Sequence, residues 1–101
     1  MSIPTFEVEL TEEAFSHLAA FKKFERNIIL DAIKLQLPYQ AIEETRNKKS
    51  LRENPLADWE LRIQDYRVFY DVNLEQSIVR IVAIGYKEHN RLFIDGEEIF
   101  L

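Results

Sequence analysis

The stretch that decides the fold is residues 59–86, which read WELRIQDYRVFYDVNLEQSIVRIVAIGY. It contains three runs rich in β-branched and aromatic residues, Trp59–Ile63, Tyr66–Val72 and Ile78–Tyr86, with short polar breaks between them. Runs of this composition joined by tight connections are typical of adjacent antiparallel strands. The sequence therefore predicts a three-stranded meander.

The alternation within these runs indicates which faces are buried. In the first run, Trp59, Leu61 and Ile63 fall on one face, whereas Glu60 and Arg62 fall on the other. The third run is apolar on both faces, which is typical of a central strand that is covered on both sides. We therefore expect protein on both faces of the sheet.

The residues before the meander predict a strand followed by two helices. Ile3–Leu10 alternates as a strand does, and Thr11 with the two acids after it is a helix start. A second helix is expected over Lys22–Leu37, because Pro38 stops it. The buried stripe expected of the first helix is Phe15, Leu18 and Ala19, extended by Phe21.

The C-terminal residues predict a small hairpin. Asp95-Gly96 is a turn signal, and Glu97–Leu101 would return as a short strand. The predicted order is β-α-α-β-β-β plus the hairpin. This is an α+β fold, an antiparallel sheet with an αα-hairpin packed on one face.

Composition limits the classes of function. The 101 residues, 47% hydrophobic and 31% charged, predict one soluble domain over residues 1–101. The net charge of −5 has the wrong sign for a basic nucleic-acid-binding face, so a phosphate site would have to be a local pocket. There is no cysteine, no signal peptide and no run long enough to cross a membrane, so a cytoplasmic location and no membrane partner are expected.

The residues that could carry chemistry are basic. Arg62 and Arg67 lie in the first two runs, whereas Lys87, His89 and Arg91 follow the end of the third. These positions meet at one rim of a meander when the strands have matching lengths. Cations beside an imidazole suit an anionic ligand, above all the phosphate of RNA self-cleavage. Histidine spacing and the glycines predict neither a metal site nor a cofactor.

Two alternatives stay open from the residues alone. Arg62 could form a structural ion pair with Glu60 or Asp58, and Arg67 with Asp65 or Asp71. The segment 38–57, which contains Lys48 and Lys49, is either a solvated connection or a basic loop beside the rim.

A family resemblance rests on two motifs of this region. The first is L-R-x-x-x-Y-R-[aliphatic]-x-Y, and the second is an apolar strand that ends in a glycine and a cation. They are formed by Leu61, Arg62, Tyr66, Arg67, Val68 and Tyr70, then by Gly85, Tyr86 and Lys87. With these motifs the chain resembles RelE/ParE-superfamily toxins of type II toxin–antitoxin modules.

The resemblance implies a small toxin that is held inactive by an antitoxin encoded by an adjacent gene, with DNA contacted only through that antitoxin. In the RelE branch it implies cleavage of mRNA on the ribosome by attack of the ribose 2′-OH on the adjacent phosphate. Arg67 and Lys87 would then stabilise the phosphate, and His89 would be the general acid, because Phe93 stands where such toxins place a tyrosine. RNA phosphates would be bound by Arg62, Arg91, Lys48 and Lys49.

The resemblance also leaves two other functions. The ParE branch implies an inhibitor of DNA gyrase that is not a nuclease. A catalytically weakened homologue would act mainly by binding its antitoxin. The acidic balance of the chain and Phe93 favour the ParE branch, and Asp58 and Glu60 stand where toxins of the RelE branch place lysines.

Overall fold

A computed structural model gives the structure of residues 5–101, so Ile3 and Pro4 of the first predicted strand lie outside the described residues. The chain forms a mixed sheet and a helical hairpin. The elements in order are β1 (Glu7–Leu10), α1 (Glu12–Ala19), α2 (Lys23–Gln36), β2 (Lys48–Ser50), β3 (Trp59–Ile63), β4 (Tyr66–Asn73), β5 (Ile78–Glu88), β6 (Arg91–Ile94) and β7 (Glu97–Ile99).

The sheet has the strand order β2-β3-β4-β5-β6-β7, with antiparallel neighbours throughout. The predicted meander is confirmed as β3, β4 and β5, and the predicted C-terminal hairpin as β6 and β7. β1 lies off this path and runs parallel to β5, which the sequence did not indicate. The sheet is therefore antiparallel except at that one pairing.

β5 is long enough to pair with two strands along one edge. β1 pairs with Ile78–Ile81, and β6 pairs with Tyr86–Glu88. In the gap between them, the Thr11 amide donates to the Ile81 carbonyl at 3.0 Å, and the Ile84 amide donates to His17 Nδ1 at 3.2 Å. α1 therefore completes the edge of β5 through hydrogen bonds.

The helices cover one face of the sheet, called here the helix face. The Thr11 hydroxyl caps α1 by accepting from the Ala14 amide at 3.1 Å, as the sequence predicted. Ala14 and Leu18, four residues apart, are the buried positions of α1, whereas Phe15 is 66% exposed. The predicted stripe was wrong at Phe15 and at Ala19, which are both exposed, because the contacts of Thr11 and His17 with β5 turn the Ala14 side of the helix towards the sheet. The buried residues on this face are Ala14, Leu18, Ile29, Ile33, Leu37, Ala41, Leu61, Val68, Tyr70, Val79, Ile81 and Ile84.

A second, smaller core lies on the opposite face, called here the loop face. Its buried residues are covered by the segment 51–57, which Asn54 holds through hydrogen bonds to the backbone of Leu56 and Ala57. The expectation that β5 is covered on both faces is thereby confirmed. The buried residues of this core are Ala57, Phe69, Ala83, Leu92 and Ile94.

The short strand β2 was missed because Lys-Lys-Ser has no strand-like composition. It forms because it pairs with Trp59–Leu61 of β3. No helix of the part of the chain described is long and apolar enough to span a membrane.

Gly85 sets how closely β6 approaches the sheet. A Cβ at this position would collide with the Phe93 carbonyl oxygen and would lie 2.8 Å from Ile94 Cγ1. Backbone atoms cannot give way as a flexible side chain can. β6 can therefore approach this closely only with glycine at position 85.

We expect Gly85→Ala to lower the free energy of unfolding by about 1–3 kcal/mol, because the added methyl forces β6 away from β5. Urea denaturation followed by circular dichroism would measure it. Gly96→Asn is the control: Gly96 has φ +79° and open space around it, and asparagine tolerates that backbone. Equal stability of Gly85→Ala and wild type would show that the close approach is not a constraint.

Candidate functional site

A cavity of about 420 Å³ opens on the loop face, and it is called here the cationic pocket. Among the residues described, the basic side chains in its lining are Arg52, Arg62, Lys87 and Arg91, and the acidic ones are Glu60 and Glu98. Apolar residues of the segment 99–101 form part of its wall.

Strand register explains why the cations meet. Arg62 lies opposite Arg67 in the β3–β4 pair, and Arg67 lies opposite Gly85 in the β4–β5 pair. Residues directly opposite each other share a face, and Lys87 lies two positions beyond Gly85 on the same face. Arg67 and Lys87 are thus diagonal neighbours, about 7–8 Å apart at Cα. The structure brings Arg62, Arg67 and Lys87 together, as the sequence predicted.

Arg67 lies beneath the cationic pocket and not in its lining. Its side chain is 14% exposed, and its Nη1 donates to the carbonyls of Gln64 at 2.8 Å and Tyr66 at 2.9 Å. Its Nε is buried without a hydrogen-bond partner. Burial lowers the pKa of the Arg67 guanidinium, and the nearby Glu60 carboxylate opposes that shift. The group stays protonated, as arginine does in proteins, so it is a fixed positive charge under the pocket.

Glu60 is the site residue that the sequence analysis did not assign. It is 5% exposed, and its Oε1 accepts from Arg62 Nε at 2.6 Å and lies 3.9 Å from Arg67 Nε. The predicted Arg62–Glu60 ion pair is confirmed, whereas the ion-pair partner of Arg67 is Glu60 and not Asp65 or Asp71. The alternation in β3, which put Glu60 beside Arg62, was the signal for this role. Glu60 orients Arg62 and offsets part of the positive charge.

Two further cations reach the pocket from outside the meander. Arg91 Nη1 lies 3.8 Å from Glu98 Oε1, but its side chain is 66% exposed, so this pair contributes little stability. Arg52 Nη2 donates to the Leu101 carbonyl at 3.0 Å. Arg52 comes from the segment 38–57, which the sequence left open as a solvated connection or a basic loop beside the rim. The position of Arg52 supports the basic loop for this part of the segment.

The structure does not bring the other predicted residues into the pocket. His89 is exposed in the β5–β6 turn, with φ 52°. Of the two turn residues, His89 and Asn90, only Asn90 lines the cationic pocket. Lys48 lies on the helix face opposite Leu61, where its Nζ donates to the Gln40 carbonyl at 3.0 Å and burial lowers its pKa.

Lys49 and Phe93 complete the comparison with the predicted site. Lys49 lies opposite Glu60 on the edge strand β2, half-buried and outside the lining of the pocket. Phe93 pairs with Tyr86 and stacks on its ring at 5.5 Å between centroids. Tyr86 and Phe93 therefore share the helix face, opposite the face that carries Arg62 and Arg67.

The chemistry available in the pocket is the binding of an anion. Guanidinium and ammonium groups form strong charge-assisted hydrogen bonds with phosphate oxygens. Within residues 5–101 the structure places no group of three or more histidine, aspartate or glutamate side chains where they could hold a metal ion.

Two solved structures share the fold. The toxin–antitoxin complex RelBE2 from Mycobacterium tuberculosis contains a chain with 20% identity and a TM-score of 0.69, and the match covers 82% of this chain and 99% of that one. The archaeal RelE–RelB complex from Pyrococcus horikoshii OT3 contains one with 21% identity and a TM-score of 0.67, covering 84% and 98%. At this identity the likeness establishes the α+β architecture. No curated protein matches the sequence.

The sequence also matches the model of a protein family. The model of the ParE toxin of type II toxin–antitoxin systems, parDE, matches residues 8–91. These residues include both motifs on which the resemblance was based and most of the elements that form the cationic pocket. The chain is therefore a toxin of the RelE/ParE superfamily, and it belongs to the ParE toxin family of type II toxin–antitoxin systems.

Proposed function

We propose that this toxin inhibits translation by cleaving mRNA on the ribosome, and that the cationic pocket holds the scissile phosphate. The observation that carries the proposal is the convergence of Arg62, Lys87 and Arg91 around one cavity, above the buried charge of Arg67. Arg52 adds a further cation to this lining, and such a concentration of positive charge favours a ligand with concentrated negative charge.

The reaction needs no co-reactant. The ribose 2′-oxygen attacks the adjacent phosphorus, its proton passes to solvent water, and the bond to the 5′-oxygen breaks. The products are a 2′,3′-cyclic phosphate and a 5′-hydroxyl. Negative charge grows on the non-bridging oxygens during attack, and Arg62 and Lys87 would stabilise it. Glu60 would keep the Arg62 guanidinium in place, which lowers the cost of ordering it.

His89 is the proposed general acid for the leaving 5′-oxygen. It lies in the turn next to Asn90, which lines the cationic pocket. An RNA strand that crosses the pocket would pass this turn. The neutral 5′-hydroxyl requires a proton, and imidazole can supply one near neutral pH.

A second candidate is a ParE-like inhibitor that binds DNA gyrase and does not cut RNA. One observation favours it: among the residues described, the lining of the cationic pocket includes neither histidine nor tyrosine. A pocket that only binds an acidic surface needs no proton donor. Loss of nuclease activity with retention of antitoxin binding is the third possibility.

The proposed partner in the cell is a cognate antitoxin encoded by an adjacent gene. Two solved structures that share this fold are a toxin–antitoxin complex, RelBE2, and an archaeal RelE–RelB complex. Any contact with DNA would then be made through the antitoxin. The ribosome and its mRNA, or gyrase in the alternative, would be the target of the free toxin.

The double variant Arg62→Ala/Lys87→Ala should lower mRNA cleavage by about a hundredfold or more, because each cation makes a charge-assisted bond of about 1.5–3 kcal/mol. The measurement is primer extension on transcripts from a cell-free translation reaction. Lys23→Ala/Lys34→Ala is the matched control, since both lysines are exposed on α2 and the charge change is the same.

The outcome also separates the candidates. If the wild type cuts mRNA and the double variant cuts it equally fast, the assignment of the cationic pocket as the site is wrong. DNA damage on expression in cells, without cuts in mRNA, would select the gyrase inhibitor. Neither effect, with intact antitoxin binding, would select the weakened homologue.

His89→Gln should slow cleavage by about a hundredfold, because general acid catalysis contributes on the order of 10²–10⁴. An mRNA with sulfur in place of the scissile 5′-oxygen should restore the rate of this variant, since a thiolate leaves without a proton. Single-turnover cleavage on programmed ribosomes gives both rates. An undiminished rate in His89→Gln would exclude the histidine as the acid.

A further inference from the structure

A second cavity, of about 730 Å³, opens on the helix face and is called here the helix-side cavity. The end of α1 and the start of α2 form one wall, and the β3–β4 and β6–β7 turns form the other. Its polar chemistry differs from that of the cationic pocket on the loop face. The proposed cleavage of RNA uses only Lys87 of its lining, which is the one residue that the two cavities share.

Aromatic rings form the interior of the helix-side cavity. Phe21 packs edge-on against Tyr66, with centroids 5.7 Å apart, and against Tyr86, at 6.2 Å. The Tyr66 hydroxyl donates to Glu25 Oε2 at 2.9 Å. Burial, then the hydrogen bond to Glu25, raises the pKa of the Tyr66 phenol. The aromatic wall is therefore uncharged, and the partly buried hydrogen bond between Tyr66 and Glu25 holds it in place.

The rim of the helix-side cavity is acidic. Asp65, Glu88 and Asp95 line it and are exposed, and none of them takes part in an ion pair within residues 5–101. Glu25 adds a fourth carboxylate to the lining, and Lys22 and Lys87 contribute its two ammonium groups. The carboxylates thus outnumber the cations in the lining.

His17 adds a donor and no acceptor to this lining. Its Nδ1 already accepts from the Ile84 amide at 3.2 Å, so the neutral ring carries its proton on Nε2. The carboxylates remain the groups available to receive hydrogen bonds from an occupant. An anionic or phosphate-bearing occupant would meet their repulsion.

We infer that the helix-side cavity receives an arginine side chain of a partner protein. A guanidinium is planar and stacks on aromatic rings, and its fork of donors fits carboxylates better than the compact ammonium of lysine does. The partner is thus a protein segment that presents an exposed arginine.

The test is an NMR titration of the isotopically labelled full chain with N-acetyl-arginine methylamide at millimolar concentrations. Saturable shifts of the Tyr66 and Tyr86 ring resonances are expected. N-acetyl-norleucine methylamide, which lacks the charge, should bind at least about tenfold more weakly. High salt should weaken the arginine probe, because the rim carboxylates are exposed.

Asp65→Asn/Asp95→Asn should weaken the arginine probe by about fivefold to tenfold. Asparagine tolerates the left-handed backbone of Asp95, whose φ is 54°, and a dispersed spectrum would verify folding. Asp31→Asn/Glu75→Gln is the matched control, since both acids are exposed and lie outside the cavity lining. It should bind as wild type does.

Three results would overturn the inference. If the norleucine probe binds as tightly as the arginine probe, the cavity recognises only apolar groups. If cytidine binds saturably and the arginine probe does not, the cavity is a nucleobase site. Unchanged arginine binding in Asp65→Asn/Asp95→Asn would remove the acidic rim from recognition.

Discussion

The pairing of β5 along both of its edges is the constraint on which the rest of the structure depends. β4 covers one edge, and β1, α1 and β6 share the other. This arrangement leaves no stretch of the central strand free for another chain. It also fixes the rotation of α1, since Thr11 and His17 contact the backbone of β5 directly. The two cavities occupy opposite faces at the Gly85–Glu88 end of that strand.

The two faces at this end of the sheet differ in charge. Arg62, Arg67 and Lys87 gather on the loop face because direct and diagonal cross-strand positions share a face. On the helix face, the same part of the sheet presents Tyr66 and Tyr86 beneath acidic turns. The net charge of −5 therefore hides a local positive site, and alternation along the strands separates this site from the exposed acids around the helix-side cavity.

Much of the fold could be predicted from the sequence because its signals are local. Strand composition located the meander, the Thr11 cap began α1, and Asp95-Gly96 marked the last turn. The parallel pairing of β1 could not be predicted, because nothing in its alternation distinguishes a parallel neighbour from an antiparallel one. β2 has three residues without strand propensity and depends on β3 to form.

The candidate site was predictable only in part. The spacing of the strands was sufficient to bring Arg62, Arg67 and Lys87 together. It could not show that Glu60 would be buried between the guanidinium groups, or that His89 would be exposed in the β5–β6 turn and outside the pocket lining. Lys48 was misplaced for the same reason: the register of β2 decides which of two adjacent lysines shares a face with Glu60.

The hydrogen bonds between α1 and β5 have a consequence for biosynthesis. Thr11 and Val82 are 71 positions apart, and His17 and Ile84 are 67 apart. Contacts of such high contact order form late and slow folding. The N-terminal strand and helix must therefore wait for β5 to leave the ribosome, so a nascent chain stays without its native architecture until most of it has been synthesised.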